Sequence, residues 1–409
     1  MKTAMMALLF VASTANAHVT ALEDFTSKPV LADLRDLRAL NIPVFAKNEE
    51  VQVGYAHITP LMQQRIQERA HKVGKCGGFE DLSHEALFFS TDFEKVLNDL
   101  ADIQTKNELY EKVPFKLLAL NKKPEIEAAL TEVSESNLRS YVQWLTSFPS
   151  RGSQSAEPNR HVSEMKVRLE AMLGSATIPY EISEIKHSGT KQNTLHVRLL
   201  GSEKPNEIIV LGGHLDSINQ SWGGGKNAPG ADDNASGSAN LIETLRIIME
   251  KPQPKRTIEF FWYAAEESGL IGSAEIAKSY KASNKDVIAV LQLDMTLYPG
   301  SGEFVIGSMT DFTSAWLRDY LKAMNDTYLH AKIVDDKCGY GCSDHASWNR
   351  QGYPALMPFE ADFRGKNGSI HSSKDVISPQ LNFKHSALYT KIAIVMAMDL
   401  ANSDARQPY

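Results

Sequence analysis

Residues 207–216 read EIIVLGGHLD: four apolar residues in a row, two glycines, then His214 and Asp216 at the end of the run. A stretch of this kind, without clean polar alternation, suits a strand covered on both faces, and such strands build mostly parallel sheets flanked by helices. Similar strand-like runs recur at TLHVRLLG (194–201), TIEFFWYA (257–264), VIAVLQLDM (287–295) and YPALMPF (353–359). Helical stretches separate several of them. The clearest is ASGSANLIETLRIIME (235–250), which sets Leu241, Leu245 and Ile248 on one face. Two more helices are predicted between Val133 and Leu173, broken by SFPSRGSQSAEPN (147–159). The pattern predicts a three-layer α/β/α sandwich with a mostly parallel central sheet over residues 129–409.

Open α/β sheets bind ligands beyond the carboxyl ends of their strands. Metal-ligand residue types lie at just such places: His214, Asp233 in PGADDNASG, Glu267 after FFWYAA, Asp294 in VLQLDM and His371 in SIHSSKD. Histidine with carboxylate is the ligand set of zinc and related divalent ions. One catalytic zinc takes three protein groups, so five ligands, one of them shared, serve two ions with three each. This arithmetic points to a hydrolase with paired metals.

Composition bounds the rest. The chain has 409 residues, 43% hydrophobic and 23% charged, with a net charge of −7. Nothing in that balance resembles a basic nucleic-acid footprint, so no nucleic-acid partner is expected. Residues 1–17 read as a secretory signal: Lys2, a short apolar core from Ala4 to Val11, and the small-x-small site Ala15-Asn16-Ala17. No later stretch reaches membrane-spanning length, so the expected location is secreted, extracellular or periplasmic. Cys338 and Cys342 flank Gly-Tyr-Gly; a small disulfide ring and a metal-binding thiol pair both fit that spacing, and export favours the disulfide. Cys76 has no partner in sequence. Residues 18–128 carry charged, helical-looking stretches (LADLRDLRAL, ITPLMQQRIQERAHKV, FEKVLNDLADIQTKNELYEKV) and no clustered ligands. They are expected to form a mainly helical unit ahead of the sandwich.

Six blocks in this order, HLDS, GADDNASG, AAEESGLIGS, QLDM, CGYGCSDHASW and IHSSKD, closely resemble the bacterial secreted leucyl aminopeptidases of the co-catalytic di-zinc type. The resemblance covers roughly residues 130–400. It implies two Zn2+ ions, one held by His214 and Asp294, the other by Glu267 and His371, with Asp233 bridging. It also implies that Glu266 is the general base, that Asp216 supports the His214 imidazole, and that Tyr340 stabilises the oxyanion formed when a zinc-held hydroxide attacks the first peptide carbonyl. A cis peptide is implied after Asp233. Many relatives carry a third aspartate where this chain has Asn234, and little effect is expected of the change because that side chain is not a ligand. His345 is implied to be structural. Met295, Met357, Phe359, Phe363 and Ile370 align with the pocket for the substrate's N-terminal side chain, and Lys366 stands where relatives often place an aromatic. The N-terminal unit resembles a pro-region removed on maturation, a step that would also discard Cys76.

The implied activity is removal of single, mainly apolar residues from peptides with free N-termini. Glutaminyl cyclases on the same fold, which use one zinc, are the nearest alternative; carboxypeptidases, amide deacylases and ligand-losing binding modules on related scaffolds are others. Two motifs fail. His84-Glu85 lacks the second histidine of a zinc-protease helix, and no G-x-S-x-G nucleophile elbow occurs. Gly223-Gly224-Gly225 lacks the strand-then-helix context of a dinucleotide loop and reads as a loop near the site.

Overall fold

The computed structural model describes residues 27–49, 52–72, 78–82, 120–220 and 227–406. The signal-like leader, Cys76, His84-Glu85, the stretch at 93–113 and Gly223-Gly225 lie outside the described residues.

The N-terminal unit runs β1 (Lys28–Asp33), α1 (Leu34–Ala39), β2 (Val44–Asn48), β3 (Val53–Ile58), α2 (Pro60–Lys72) and β4 (Phe79–Asp81). Its strands form one antiparallel sheet in the order β2-β3-β1-β4. The described part is a mixed α/β unit; residues 83–119 of the unit expected to be mainly helical lie outside the described residues. The leucine spacing of LADLRDLRAL looks helical, yet Leu31 to Asp33 pair with β3. Asp33 then ends the strand and caps α1, its carboxylate accepting from Arg35 N–H at 2.8 Å. The stretch ITPLMQQRIQERAHKV does form a helix, α2.

The sandwich follows, with α3 (Pro124–Thr131), α4 (Glu135–Leu145), α5 (Arg160–Leu173), β5 (Tyr180–Ile185), β6 (Thr194–Leu199), β7 (Lys204–His214), α6 (Ala235–Ile248), β8 (Arg256–Tyr263), α7 (Ile271–Ala282) and β9 (Asp286–Gln292). Then come β10 (Val305–Met309), α8 (Ala315–Met324), β11 (Lys332–Asp336), α9 (His345–Arg350), β12 (Ala355–Leu356), β13 (Pro358–Phe359) and α10 (Phe383–Leu400). The central sheet has the order β12-β9-β7-β8-β6-β5. Its first three pairings are parallel and its last two antiparallel.

Strand pleating explains the continuous apolar runs. Ile209 and Leu211 of β7, with Phe260 and Trp262 of β8, enter the core shared with α4, α6 and α10. Their neighbours Ile208, Val210, Phe261 and Tyr263 enter a second core against Ile276 of α7 and Trp348 of α9. Alternate side chains leave a strand on opposite faces, so a sheet covered on both needs apolar residues at every position. Burying each such side chain contributes about 1.5–3 kcal/mol. Ile126 and Ala129 of α3 already belong to the first core. Because β7, β8 and β9 are parallel, His214, the turn after Tyr263 and the segment after Gln292 leave the sheet at one end. That end positions the site.

Candidate active site

The five ligand candidates come together there. His214 closes β7, Glu267 lies in the turn after β8, Asp294 follows β9, Asp233 precedes α6, and His371 sits in the loop between β13 and α10. All are at most 5% exposed. His214 Nε2 lies 3.1 Å from Asp233 Oδ1 and 3.3 Å from Asp294 Oδ1. His371 Nε2 lies 3.0 Å from Asp233 Oδ2 and 3.0 Å from Glu267 Oε2. The two oxygens of Asp233 therefore face different histidines. Two ligand triads result, His214–Asp233–Asp294 and Asp233–Glu267–His371, sharing Asp233.

The donor set suits divalent cations. Three acidic side chains and two imidazoles share a buried space, and Glu267 Oε1 is buried without a hydrogen-bond partner. Burial pushes Glu267 up to about 7. For Asp233 burial acts the same way, but hydrogen bonds from His214 and His371 overcome it and hold the carboxyl below its usual range. Like charges crowded out of water demand a counter-charge, and nitrogen with oxygen ligands in threes is the chemistry of zinc.

Glu266 lies beside this cluster, 7% exposed. Burial pushes its carboxyl well up; His214 opposes the shift, and Glu267 and Asp294 add to it. Asp216 is fully buried, and its carboxylate accepts from Glu266 N–H at 3.0 Å and Glu267 N–H at 3.2 Å. The nearest acceptor to His214 Nδ1 is instead the Asp216 backbone carbonyl, at 3.2 Å, with the carboxylate at 3.4 Å. The expected support of His214 is thus mainly through the main chain, because the carboxylate is turned to two adjacent amides.

Tyr340 is buried in a cluster with Met295, Met357, Phe359, Phe363 and Ile370, so the apolar pocket candidates share one place with it. Lys366 Nζ lies 5.0 Å from the Phe363 ring centroid, at the edge of that cluster. Cys338 and Cys342 form a disulfide. The Asp233-Asn234 peptide is cis. Asn234 caps α6, its Oδ1 accepting from Gly237 N–H at 2.9 Å, and its Nδ2 donates to Leu293 O at 2.9 Å. An aspartate could not make the second bond, so the amide has a definite use here. His345 is fully buried and outside both triads, and burial pushes it down to about 4.

Sequence reading missed the residues that support these groups. Met309 joins the apolar cluster. Asp311 accepts from Cys338 N–H at 3.1 Å and Gly339 N–H at 2.5 Å, fixing the loop of Tyr340. Asp232 and Glu360 are a buried, hydrogen-bonded carboxyl pair. Asp232 Oδ2 accepts from Asn367 Nδ2 at 3.0 Å and Glu360 Oε1 from Asn367 N–H at 2.9 Å, pinning the loop that bears Lys366 and Ile370. A duplicated aspartate in GADDN was the one visible signal for the first of these. The N-terminal unit touches the site's border: Gln67 Nε2 donates to Glu267 O at 3.3 Å, Asp81 N–H to Gly269 O at 3.2 Å, and Glu80 pairs with Arg350.

Residues 194–397 match the sequence model of peptidase family M28. A probable aminopeptidase of Saccharomyces cerevisiae is 34% identical over 297 residues, spanning 70% of this chain and 78% of that protein. The chain belongs to peptidase family M28. Leucine aminopeptidase 1 of Pyrenophora tritici-repentis is 34% identical over 284 residues, covering 66% of this M28 chain and 72% of that one. The crystal structure of Legionella pneumophila LapA aminopeptidase superposes with a TM-score of 0.75 at 28% identity, over 92% of this chain and 99% of that chain. Such coverage exceeds the sandwich and takes in part of the N-terminal unit. Legionella pneumophila LapB, with a TM-score of 0.79 at 23% identity, shares the fold. Family and relatives together make this M28 protein a zinc-dependent aminopeptidase. Among the described residues no helix is long and apolar enough to cross a membrane.

Proposed function

We propose that the chain is a secreted di-zinc aminopeptidase that releases single, preferentially apolar residues from the N-termini of peptides. The observation that carries this reading is Asp233, whose two oxygens face His214 and His371 from a shared position. His214 and Asp294 would hold one ion, Glu267 and His371 the other, with Asp233 between them. Two zinc ions bound there supply a polarised water and a Lewis acid for the scissile carbonyl.

The remaining work falls to the chain's own groups. Glu266 takes a proton from the attacking water and delivers it to the leaving amine. Asp216 holds the Glu266 and Glu267 amides, so base and ligand stay aimed. Tyr340 offers its hydroxyl to the developing oxyanion. The cluster of Met295, Met357, Phe359, Phe363 and Ile370 receives an apolar side chain, and Lys366 at its rim disfavours cationic ones. The segment from residue 18 to the start of α3 acts as a pro-region docked on the turn after Glu267 and removed on maturation, since Ile126 of α3 already belongs to the sandwich core; N-terminal sequencing of exported protein starting near residue 18 would contradict that part.

The test is Glu266→Ala, assayed on a panel of fluorogenic aminoacyl substrates. Turnover should fall by about 10²–10⁴-fold while zinc content stays near two per chain. Substantial retained turnover would remove the role given to Glu266.

A further inference from the structure

The segment that carries Asp233 is gripped from both sides by two buried side chains outside the ligand set. On its carbonyl side Arg151, fully buried, donates Nη1–H to Pro229 O at 2.5 Å and Nη2–H to Gly230 O at 2.8 Å. The same guanidinium donates Nε–H to Leu215 O at 2.9 Å, between His214 and Asp216. On the amide side Asp375, 1% exposed, accepts from Asp232 N–H and Asp233 N–H at 3.0 Å each. Its own carbonyl accepts from Ala231 N–H at 3.0 Å. Gly230 permits the approach: its φ is +52°, and a Cβ there would lie 2.8 Å from Arg151 Nη2. Burial pushes the guanidinium down to about 10, against the opposing pull of Asp375, Asp216, Asp233 and Glu267 around it.

Each side chain ties Asp233 to a different histidine. Arg151 joins the end of β7, which bears His214, to the loop of Asp233. Asp375 lies four residues after His371 and joins that loop to Asp233. We propose that Arg151 and Asp375 are positioning residues for the two halves of the metal centre, Arg151 setting Asp233 against His214 and Asp375 setting it against His371. The proposal rests on the two-metal reading given above. It also gives the halves separable sensitivities, which a general stabilising role would not.

The experiment measures stepwise binding of Zn2+ by chelator competition, and the visible spectrum with Co2+, on full-length protein. Wild type is compared with Arg151→Lys, Asp375→Asn, His214→Ala and His371→Ala. Asp375→Asn should weaken by about 10–100-fold the binding step that is missing in His371→Ala, and leave the other within about three-fold. Arg151→Lys should do the converse, following His214→Ala. Equal weakening of both steps, or none, in folded variants would overturn the proposal. Wild type binding a single metal would instead sink the two-metal reading. Should a variant fail to fold, hydrogen exchange of the Asp232 and Asp233 amides in metal-stripped wild type decides. Slow exchange is expected if Asp375 holds them unaided, and fast exchange overturns the assignment.

Discussion

Replacing Asp216 with asparagine probes how the base is aimed. Asp216 uses both carboxylate oxygens, one on Glu266 N–H at 3.0 Å and one on Glu267 N–H at 3.2 Å, in a fully buried place. Asparagine keeps the shape but offers one acceptor, and its NH2 meets the second N–H donor to donor. A charge-assisted bond, about 1.5–3 kcal/mol, is lost, and a buried amide is left unsatisfied at a further cost of about 1–3 kcal/mol. Local turning relieves part of this, leaving about 3 kcal/mol. That turning misplaces Glu266, and a misplacement of about 1 Å lowers kcat about 100-fold. The assay is steady-state hydrolysis of a fluorogenic leucyl substrate at saturating zinc, beside thermal unfolding of the same samples. KM should move only a few-fold, because the apolar pocket is built from other segments. A folded Asp216→Asn protein with kcat within three-fold of wild type would refute the reasoning that this carboxylate holds the base.

Other perturbations follow from the same structure. A Cβ on Gly237 would lie 2.2 Å from Leu293 O, so Gly237→Ala should overpack α6 against the segment after β9 and destabilise by about 2–3 kcal/mol, read as a lowered urea midpoint. Burial, with Arg151 adding to it, pushes His161 down to about 3, and burial pushes His345 down to about 4, against an ordinary 6.5. The unfolded chain therefore binds these protons first, and the contribution of these two histidines to stability should fall as pH drops from about 6.5 toward 3–4, by up to about 1.4 kcal/mol per pH unit for each. Denaturant titrations of wild type and His345→Gln at pH 7 and pH 5 check the sign: the advantage of wild type should be smaller at pH 5, and a larger one would reverse it, while Glu266 and Glu267, pushed up by burial, act the other way in both proteins. Lys366→Leu should raise turnover of arginyl relative to leucyl substrates by about five-fold, since a rim charge contributes on the order of 1 kcal/mol; an unchanged ratio would free Lys366 of that role.

The sandwich was legible because its strands carry their burial in sequence: Phe260 and Trp262 face one core, Phe261 and Tyr263 the other. Four of the ligand candidates were legible because each follows or precedes such an element; His371, in the loop between β13 and α10, was legible only through its motif. YPALMPF was read as one strand, yet β12 and β13 belong to different sheets. Pro358 begins the second, where a residue without an amide hydrogen cannot continue a ladder. The N-terminal sheet was hidden because its leucines satisfy helical spacing while its residues pair with β3. Arg151, Asp311 and Asp375 were hidden for a different reason. They act on backbone groups far away in the chain, 143 residues from Asp375 to Asp232, and no motif records which main-chain amide a carboxylate will meet.

Metal counting tests the central claim most directly. Zinc content per chain is measured by elemental analysis on purified protein, alongside cleavage of a leucyl peptide and of the same peptide acetylated at its N-terminus. Two zinc equivalents and cleavage of the free peptide alone are predicted. One equivalent, or cleavage of the acetylated peptide at its first bond, would contradict the shared-carboxylate site around Asp233.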